Sequence, residues 1–199
     1  MKLYDFTNKK SFIILGTESR KADISSFELC EIHKELGKLL GYQIIENCEL
    51  KEIEINHVQG RKIGFELKDK ENIFIFALMK SGLYIAEGLR SVFKESSLFL
   101  VNNEIPNLDN IDLSEKTLFI ADSVINTGKS IERTIESIFK KHYRFKRVIV
   151  VASVVQEESI EILKDKDIEL YAVRISKNKY IGKGNTDTGN RLYNTIFIE

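Results

Sequence analysis

The sequence is poor in the residues that build disulfide frameworks and metal sites. It contains two cysteines, Cys30 and Cys48, and three histidines that are scattered along the chain. Two cysteines without a spacing pattern exclude a disulfide-stabilised scaffold and a zinc site, and the histidines add no ligand cluster. We therefore expect a protein from a reducing compartment that has no metal site built from its own side chains.

Long apolar runs and an excess of one charge are also absent. No apolar run approaches the roughly 20 residues that span a membrane, and the first residues lack the continuous apolar core of a signal peptide. Thirty basic and thirty acidic side chains cancel, so net charge provides no steering field toward nucleic acid or an acidic membrane. We expect a soluble, cytoplasmic protein without nucleic-acid or membrane partners, in which any anion site is built locally.

What the chain does contain is enough apolar sequence for one sizeable core, since 43% of its 199 residues are hydrophobic. No internal repeat, low-complexity tract or linker divides it, so residues 1–199 are predicted to form a single domain. Candidate strands alternate with helical patterns along the chain. This alternation predicts an α/β fold, in which helices flank a mainly parallel sheet on both faces.

The apolar periodicity sets the predicted elements. A capping box at 25–28 begins a helix, and residues 50–55 suit a half-exposed strand whereas residues 73–78 suit a buried one. The predicted strands are 12–15, 50–55, 73–78, 98–101, 118–121, 147–155 and 168–174, and the later helices are about 83–93, 129–142 and 157–164.

Three loops are predicted to lie where parallel sheets bind ligands, beyond the carboxyl ends of central strands. They comprise residues 79–83, 122–130 and 177–195. The last is the C-terminal tail, which contains glycines and is too long and too polar for a routine terminus. Its apolar residues are predicted to anchor it, which argues against a disordered tail; they are Tyr180, Ile181, Leu192 and Tyr193. These loops are the candidate functional segments of the chain.

The loop at 122–130 has the features of an anion site. Gly128, Lys129 and Ser130 would present free backbone N–H groups and the positive end of a helix dipole, while Asp122 can accept hydrogen bonds from sugar hydroxyls. A triphosphate P-loop is excluded, because that motif needs a glycine five positions before Gly128, where Ser123 stands. Taken alone, the segment fits an ordinary strand-to-helix turn equally well.

Three motifs together resemble those of type I phosphoribosyltransferases, and most closely the uracil phosphoribosyltransferase family. The segment Asp122-Ser-Val-Ile-Asn-Thr-Gly-Lys-Ser130 is similar to that family's Asp-Pro-Met-Leu-Ala-Thr-Gly-Gly-Ser loop, including its single acid. The tail Tyr180-Ile-Gly-Lys-Gly-Asn-Thr-Asp-Thr-Gly-Asn-Arg-Leu-Tyr-Asn-Thr195 is similar, without a gap, to Tyr-Ile-x-Pro-Gly-Leu-Gly-Asp-Ala-Gly-Asp-Arg-x-Phe-Gly-Thr. Ala77-Leu-Met-Lys-Ser-Gly-Leu83 resembles Pro-Ile-Leu-Arg-Ala-Gly-Leu, the loop that contacts pyrophosphate.

The resemblance implies a type I phosphoribosyltransferase fold with a C-terminal base-binding hood loop, and transfer of the phosphoribosyl group of phosphoribosyl pyrophosphate (PRPP) to uracil. It implies catalytic roles for Asp122, Lys80 and Asp187, and Mg²⁺ bound mainly through PRPP. It also implies that the chain forms a homodimer or a larger homo-oligomer. The implied PRPP-binding residues are Lys80, Asp122, Ser123, Val124, Ile125, Asn126, Thr127, Gly128, Lys129, Ser130 and Asp187, and the implied uracil-binding residues are Ile181, Thr186, Asp187 and Thr188.

Several positions depart from the family pattern. Lys80 replaces an arginine, Thr186 and Asn194 replace glycines, and Asn102 stands where an arginine would meet pyrophosphate. Lys129 also replaces a glycine, and a left-handed backbone there would cost about 1 kcal/mol. The missing pyrophosphate contact leaves open a non-catalytic regulator that senses PRPP or a nucleotide. A transferase for another nucleobase is a second alternative, because the implied recognition of the base is mostly by backbone groups and leaves few side chains to read.

Overall fold

A computed structural model describes residues 1–179 and 182–197. The strands are β1 (Lys2–Asp5), β2 (Leu50–His57), β3 (Gly60–Leu67), β4 (Ile73–Leu78), β5 (Ser97–Val101), β6 (Thr117–Ile125), β7 (Arg147–Gln156) and β8 (Glu169–Ser176). The helices are α1 (Lys10–Glu18), α2 (Ser26–Ile45), α3 (Leu83–Val92), α4 (Lys129–Lys140), α5 (Glu157–Leu163) and α6 (Thr188–Leu192). None of the helices in these ranges combines the length and the apolarity that crossing a membrane requires.

Within the described residues, six strands form the main sheet in the order β1-β8-β7-β6-β4-β5, and each pairing in it is parallel. All of β4 is buried, and so is β6 except for one half-buried residue. Strands buried on both faces need a layer of helices on each side. The predicted α/β fold with a mainly parallel sheet is confirmed.

Helices cover both faces of the sheet. On one face α1, α2 and α3 bury apolar side chains such as Leu36, Ile85 and Phe119. On the other face α4, α5 and the segment between β5 and β6 bury a second set, which includes Leu108 and Ile135. Neighbouring residues of β4 join different cores because side chains alternate across a strand. Strands β4 and β6, which precede two of the candidate loops, are thus covered on both faces.

The prediction of a strand at 12–15 is wrong, because these residues lie in helix α1. Phe12 is buried, but Ile13 and Ile14 are 47% and 64% exposed. A short apolar run fits a helix or a strand equally, and here only one residue of the run is needed in the core. The strand that precedes α1 is β1, which pairs with β8 at the edge of the sheet.

The strand predicted at 50–55 exists, but it is not part of the main sheet. It lies in β2, which pairs antiparallel with β3 to form a separate hairpin. Gly60 closes the turn of this hairpin with a φ of 101°, a conformation that favours glycine. The hairpin projects charged and apolar side chains to solvent along most of its length.

Strand β6 is longer than predicted. Asp122, Val124 and Ile125 remain paired with Ala152, Val154 and Val155 of β7. Pairing with β7 therefore carries the strand four residues beyond Ala121. The connection from β6 to α4 is left with residues 126–128 alone, so the loop is shorter than the sequence suggested.

Helices α2 and α3 approach each other closely enough that their contact depends on glycine. A Cβ atom at Gly88 would lie 2.1 Å from the carbonyl oxygen of Lys34, and one at Gly37 would lie 2.2 Å from the carbonyl oxygen of Ile85. Backbone atoms cannot rotate away as a flexible side chain does. The two helices would have to separate to accept a methyl group at either position.

We predict that Gly88→Ala lowers the free energy of unfolding by about 1–3 kcal/mol, because overpacking forces the helices apart. Denaturant titration of the purified variant measures this loss. Gly16→Ala is the matched control, since nothing lies within 4 Å of a Cβ atom at that position of α1. The control should be neutral or stabilising by up to about 1 kcal/mol, and an equal loss in both variants would contradict the described helix contact.

Candidate active site

The loop after β4 presses directly against β6. A Cβ atom at Gly82 would lie 2.1 Å from the carbonyl oxygen of Ala121 and 2.8 Å from that of Leu78, so only glycine permits this approach. The peptide bond between Met79 and Lys80 is cis. The close contact brings residues 79–82 beside the last third of β6, where the predicted sugar-binding acid is located.

The Asp122 carboxylate is held by one donor from each of these two segments. Ser81 Oγ donates to Asp122 Oδ1 at 2.8 Å, and the backbone N–H of Ser123 donates to the same oxygen at 2.7 Å. Burial raises the pKa of Asp122 to about 6, although both hydrogen bonds oppose that shift. Near neutral pH the group is a carboxylate with little water around it, which makes it a strong acceptor for hydroxyl donors.

A buried polar network lies directly behind Asp122. Ser123 Oγ lies 2.8 Å from His33 Nε2 and 3.0 Å from Ser153 Oγ, and Ser153 Oγ also donates to the Ser123 carbonyl. His33 Nδ1 lies 2.8 Å from the Leu29 carbonyl, so Nδ1 carries the proton and Nε2 accepts from Ser123. Burial lowers the pKa of His33 to about 4, which keeps the ring neutral. The network fixes the position of the strand that carries Asp122.

Sequence reasoning missed His33 and Ser153. His33 is one of three scattered histidines, and Ser153 lies in a valine-rich strand, so neither stands out in the sequence. The available signal was Ser123, which occupies a position where the similar family loop has proline. A serine in a buried strand needs hydrogen-bond partners, and it supplies a backbone N–H that proline lacks.

The connection from β6 to α4 ends in a helix amino terminus that faces outward. Gly128 is the N-cap residue of α4 and has a φ of 71°, which explains the glycine. Glycine has no side chain to bond the first-turn N–H groups, so these remain available to an anion. Lys129 is the first helical residue and is not among the described residues with positive φ. The backbone cost considered for a lysine at this position therefore does not arise.

Four of the predicted PRPP contacts, Asp122 and the three residues after it, lie in strand β6 and not in the loop. The side chain of Ser123 belongs to the buried network, and that of Ile125 is 2% exposed within the core. Val124 is half-buried and faces the cavity next to Asp122. Asn126 and Thr127 lie in the connection itself, and Thr127, Lys129 and Ser130 are exposed.

A cavity of about 250 Å³ opens beside Asp122. Its polar lining comprises Ser81, Asn102, Asn103, Asp122, Ser130, Arg133 and Thr134. A larger cavity, of about 650 Å³, lies at the other end of the strands, near their amino ends. None of the sequence-predicted site residues that the structure describes lines the larger cavity. The smaller one is the candidate active site because it adjoins the buried acid and the loop after β4.

The tail lies against the loop after β4. Asp187 caps α6 by accepting from the Asn190 N–H at 2.7 Å, and Lys80 Nζ lies 3.5 Å from Asn190 Oδ1. Tyr193 donates its hydroxyl proton to the Lys80 carbonyl at 3.2 Å. The structure therefore brings Lys80 and Asp187 together through the first turn of α6.

Apolar anchors hold the tail on helices α2 and α3, as predicted for Leu192 and Tyr193. Leu192 is 2% exposed and packs with Leu29 and Cys30, and the Tyr193 ring centroid is 5.7 Å from that of Tyr84. Two further predicted anchors, residues 180 and 181, lie outside the described residues.

The predicted uracil contacts lie partly inside and partly outside the described residues. Ile181 lies outside the described residues, whereas Thr186 ends a 3₁₀ turn and Thr188 begins α6. The Thr186 hydroxyl accepts from the Lys183 N–H at 3.1 Å and donates to the Lys183 carbonyl at 2.9 Å. Asn194, which replaces a family glycine, has a φ of 51°, a conformation that asparagine tolerates better than most residues.

A family model described as uracil phosphoribosyltransferase matches residues 7–195 of the chain. The chain belongs to the uracil phosphoribosyltransferase family. Among similar proteins of this family, the one from Thermococcus sibiricus is 27% identical over 96% of this chain and 90% of its own length. The one from Pyrococcus furiosus is 25% identical over 96% and 89%. Membership in this family supports PRPP-dependent phosphoribosyl transfer.

A solved structure, that of the AQ2163 protein from Aquifex aeolicus, has the same fold. It aligns with a TM-score of 0.78 and 23% sequence identity, covering 96% of this chain and 97% of its own. In the part of this chain that the structure describes, no group of three or more His, Cys, Asp or Glu side chains is arranged to hold a metal ion.

The buried carboxylate predicts a specific pH dependence. The pKa of Asp122 is about 6 in the folded protein and about 3.9 in an unfolded chain. Between these values the unfolded chain ionises first, so this group lowers stability as pH rises and exerts its full cost above pH 6. Asp122→Asn should therefore become more stable than the wild type across this window, reaching a difference of about 3 kcal/mol.

Thermal and chemical unfolding between pH 4 and pH 8 measures that difference. Asp165→Asn, a change at an exposed aspartate, controls for the loss of one negative charge. A stability difference that does not vary with pH in the Asp122→Asn protein would contradict the assignment of a raised pKa.

Proposed function

We propose that the protein transfers the phosphoribosyl group of PRPP to uracil, giving uridine monophosphate and pyrophosphate. The observation that carries the proposal is the buried Asp122 carboxylate, held by Ser81 and Ser123 beside the open amino terminus of α4. This pairing suits a sugar phosphate, since the acid accepts from hydroxyls while helix N–H groups donate to the phosphate. Uracil as the acceptor is supported by relatives that are 22–27% identical to this chain and are named uracil phosphoribosyltransferase.

The proposed reaction requires little covalent chemistry from the protein. The bond from C1 of the ribose to pyrophosphate breaks and its electron pair leaves with pyrophosphate, while the N1–C1 bond to uracil forms and the N1 proton is released. Positive charge develops on the ribose between these events. A carboxylate beside the sugar stabilises that charge electrostatically, and fixed donors hold the 5′-phosphate so that the ring is correctly placed.

In this proposal Asp122 binds the ribose hydroxyls, and the backbone from Ile125 to Ser130 binds the 5′-phosphate with the Thr127 and Ser130 hydroxyls. Lys80 neutralises the leaving pyrophosphate from the side of the tail. Mg²⁺ enters with PRPP, whose diphosphate oxygens are the hard ligands that this ion prefers. When bound, the metal neutralises part of the charge on the leaving group.

The tail supplies the base pocket in the same proposal. Backbone groups near Ile181 and at Thr186 to Thr188 read the pyrimidine edge, and Asp187 faces the ribose side. Because the Thr186 hydroxyl is engaged with Lys183, it adds little side-chain selection among bases. This observation favours a transferase for another nucleobase as the second candidate function.

An assay with each common nucleobase tests the acceptor directly. The purified protein is incubated with PRPP, Mg²⁺ and one base at a time, and pyrophosphate release is measured. We expect release with uracil above all other bases. Release with a purine alone would establish the second candidate, and no release with any base despite PRPP binding would identify a regulator that senses PRPP.

We also predict that Lys80→Ala loses most transferase activity, because the leaving group loses a charge-assisted contact worth about 1.5–3 kcal/mol. Steady-state kinetics at varied PRPP concentrations measures the loss. Lys94→Ala, a change at an exposed lysine after α3 that lines no cavity next to Asp122, should retain wild-type kinetics. Wild-type turnover by the Lys80→Ala protein would remove Lys80 from the mechanism.

A further inference from the structure

Among its described lining residues, the cavity beside Asp122 contains one cationic side chain, that of Arg133. Lys80, the predicted cation of this site, does not line the cavity, because its side chain extends to Asn190 of the tail. The resemblance to the family identified no role for residue 133. The position of Arg133 therefore offers a charge to this cavity that the proposed function has not used.

The geometry of α4 directs Arg133 into the cavity. Ser130, Arg133 and Thr134 are spaced at i, i+3 and i+4, so they share one face of the helix, and all three line the cavity. Long side chains on a helix lean back toward its amino terminus. The guanidinium of Arg133 is thereby carried toward Ser130 and the open end of the helix.

None of the described carboxylates forms an ion pair with Arg133. The neighbouring acid on the helix, Glu132, lies 3.7 Å from Lys166 and is engaged there. Asp122 is the one acid among the cavity-lining residues, and its Oδ1 atom already accepts two hydrogen bonds. Arg133 is thus an exposed cation that lines a polar cavity without a described carboxylate partner, so an incoming anion can serve as its counterion.

The position of the cavity indicates which part of an anionic ligand Arg133 would contact. The first-turn N–H groups of α4 are the proposed 5′-phosphate site, yet residues 126–129 do not line the cavity. Its lining includes instead Val101, Asn102 and Asn103 at the carboxyl end of β5, and Met79. A sugar bound at Asp122 with its 5′-phosphate at α4 would direct its C1 substituent into this space.

We infer that Arg133 binds the pyrophosphate moiety of PRPP from the α4 side of the cavity. The inference rests on the use of PRPP and does not depend on which base is the acceptor. A guanidinium fits phosphate oxygens in a bidentate manner and remains charged at every relevant pH. Arg133 lines the same cavity as Asn102, so it supplies positive charge to the cavity in which the resemblance predicts that a cation is missing.

A residue in this position should affect binding and chemistry together. The negative charge on pyrophosphate rises as the C1–O bond breaks, so a fixed cation stabilises the transition state more than the ground state. Loss of Arg133 should therefore raise the KM for PRPP and lower kcat. A residue that served only to hold helix α4 would change neither value at a temperature where the protein stays folded.

Binding experiments separate Arg133 from the rest of the site. We expect Arg133→Gln to weaken binding of magnesium pyrophosphate by about 10- to 100-fold, as the loss of a charge-assisted contact predicts, while binding of ribose 5-phosphate stays within about 3-fold. Calorimetric titration of the full chain with each ligand measures both effects. Arg133→Lys should fall between the two proteins, since lysine keeps the charge and loses the bidentate geometry.

Arg90→Gln is the matched control, an exposed helical arginine on α3 that does not line the cavity, and it should bind both ligands as the wild type does. The double variant Asn102→Arg with Arg133→Gln should recover pyrophosphate binding, since it places a cation at another residue that lines the same cavity. Wild-type pyrophosphate binding by Arg133→Gln would overturn the inference, and so would an equal loss of ribose 5-phosphate binding. If no base supports turnover while Arg133→Gln still weakens pyrophosphate binding, the inference stands and the transferase proposal fails.

Discussion

The hydrogen bond from Ser81 to the Asp122 carboxylate is the contact on which the arrangement of the site depends. It joins the loop after β4 to strand β6 at the point where Gly82 lets their backbones touch. A buried carboxylate is costly unless donors surround it, and Ser81 and the Ser123 N–H are the donors that make this burial tolerable. The tail contacts Lys80 in the loop after β4, and that loop contacts β6. The three candidate ligand-binding segments are therefore joined to one another through this loop.

Around this single acid the protein arranges positive charge without a basic surface. The equal numbers of acidic and basic residues mean that attraction at long range is weak. Local sources replace it: the amino terminus of α4 behind Gly128, the ammonium of Lys80 on the tail side and the guanidinium of Arg133 on the helix side. Each lies within a turn or a loop of Asp122, which is the range over which such groups act effectively.

The sequence predicted the parts of the fold that repeat a strong pattern. Buried strands such as 73–78 and long amphipathic helices were identified closely, and the glycine, acid and tail motifs indicated segments that the structure brings into contact. Short apolar runs were ambiguous, which is why Phe12 was placed in a strand, and strand length depended on pairing with β7 that no local pattern encodes. His33 and Arg133 were missed for opposite reasons: one is hidden by burial, and the other resembles any solvated helix residue until the cavity beside it is seen.

Helix α2 contacts both halves of the site within a single turn. Through His33 it supports the strand that carries Asp122, and through Leu29 and Cys30 it supports the tail that begins α6 at Asp187. The spacing between the proposed sugar and base subsites is therefore set by one helix. A shift of this helix moves both subsites in the same direction, so their relative alignment tolerates displacements that would separate two independently mounted loops.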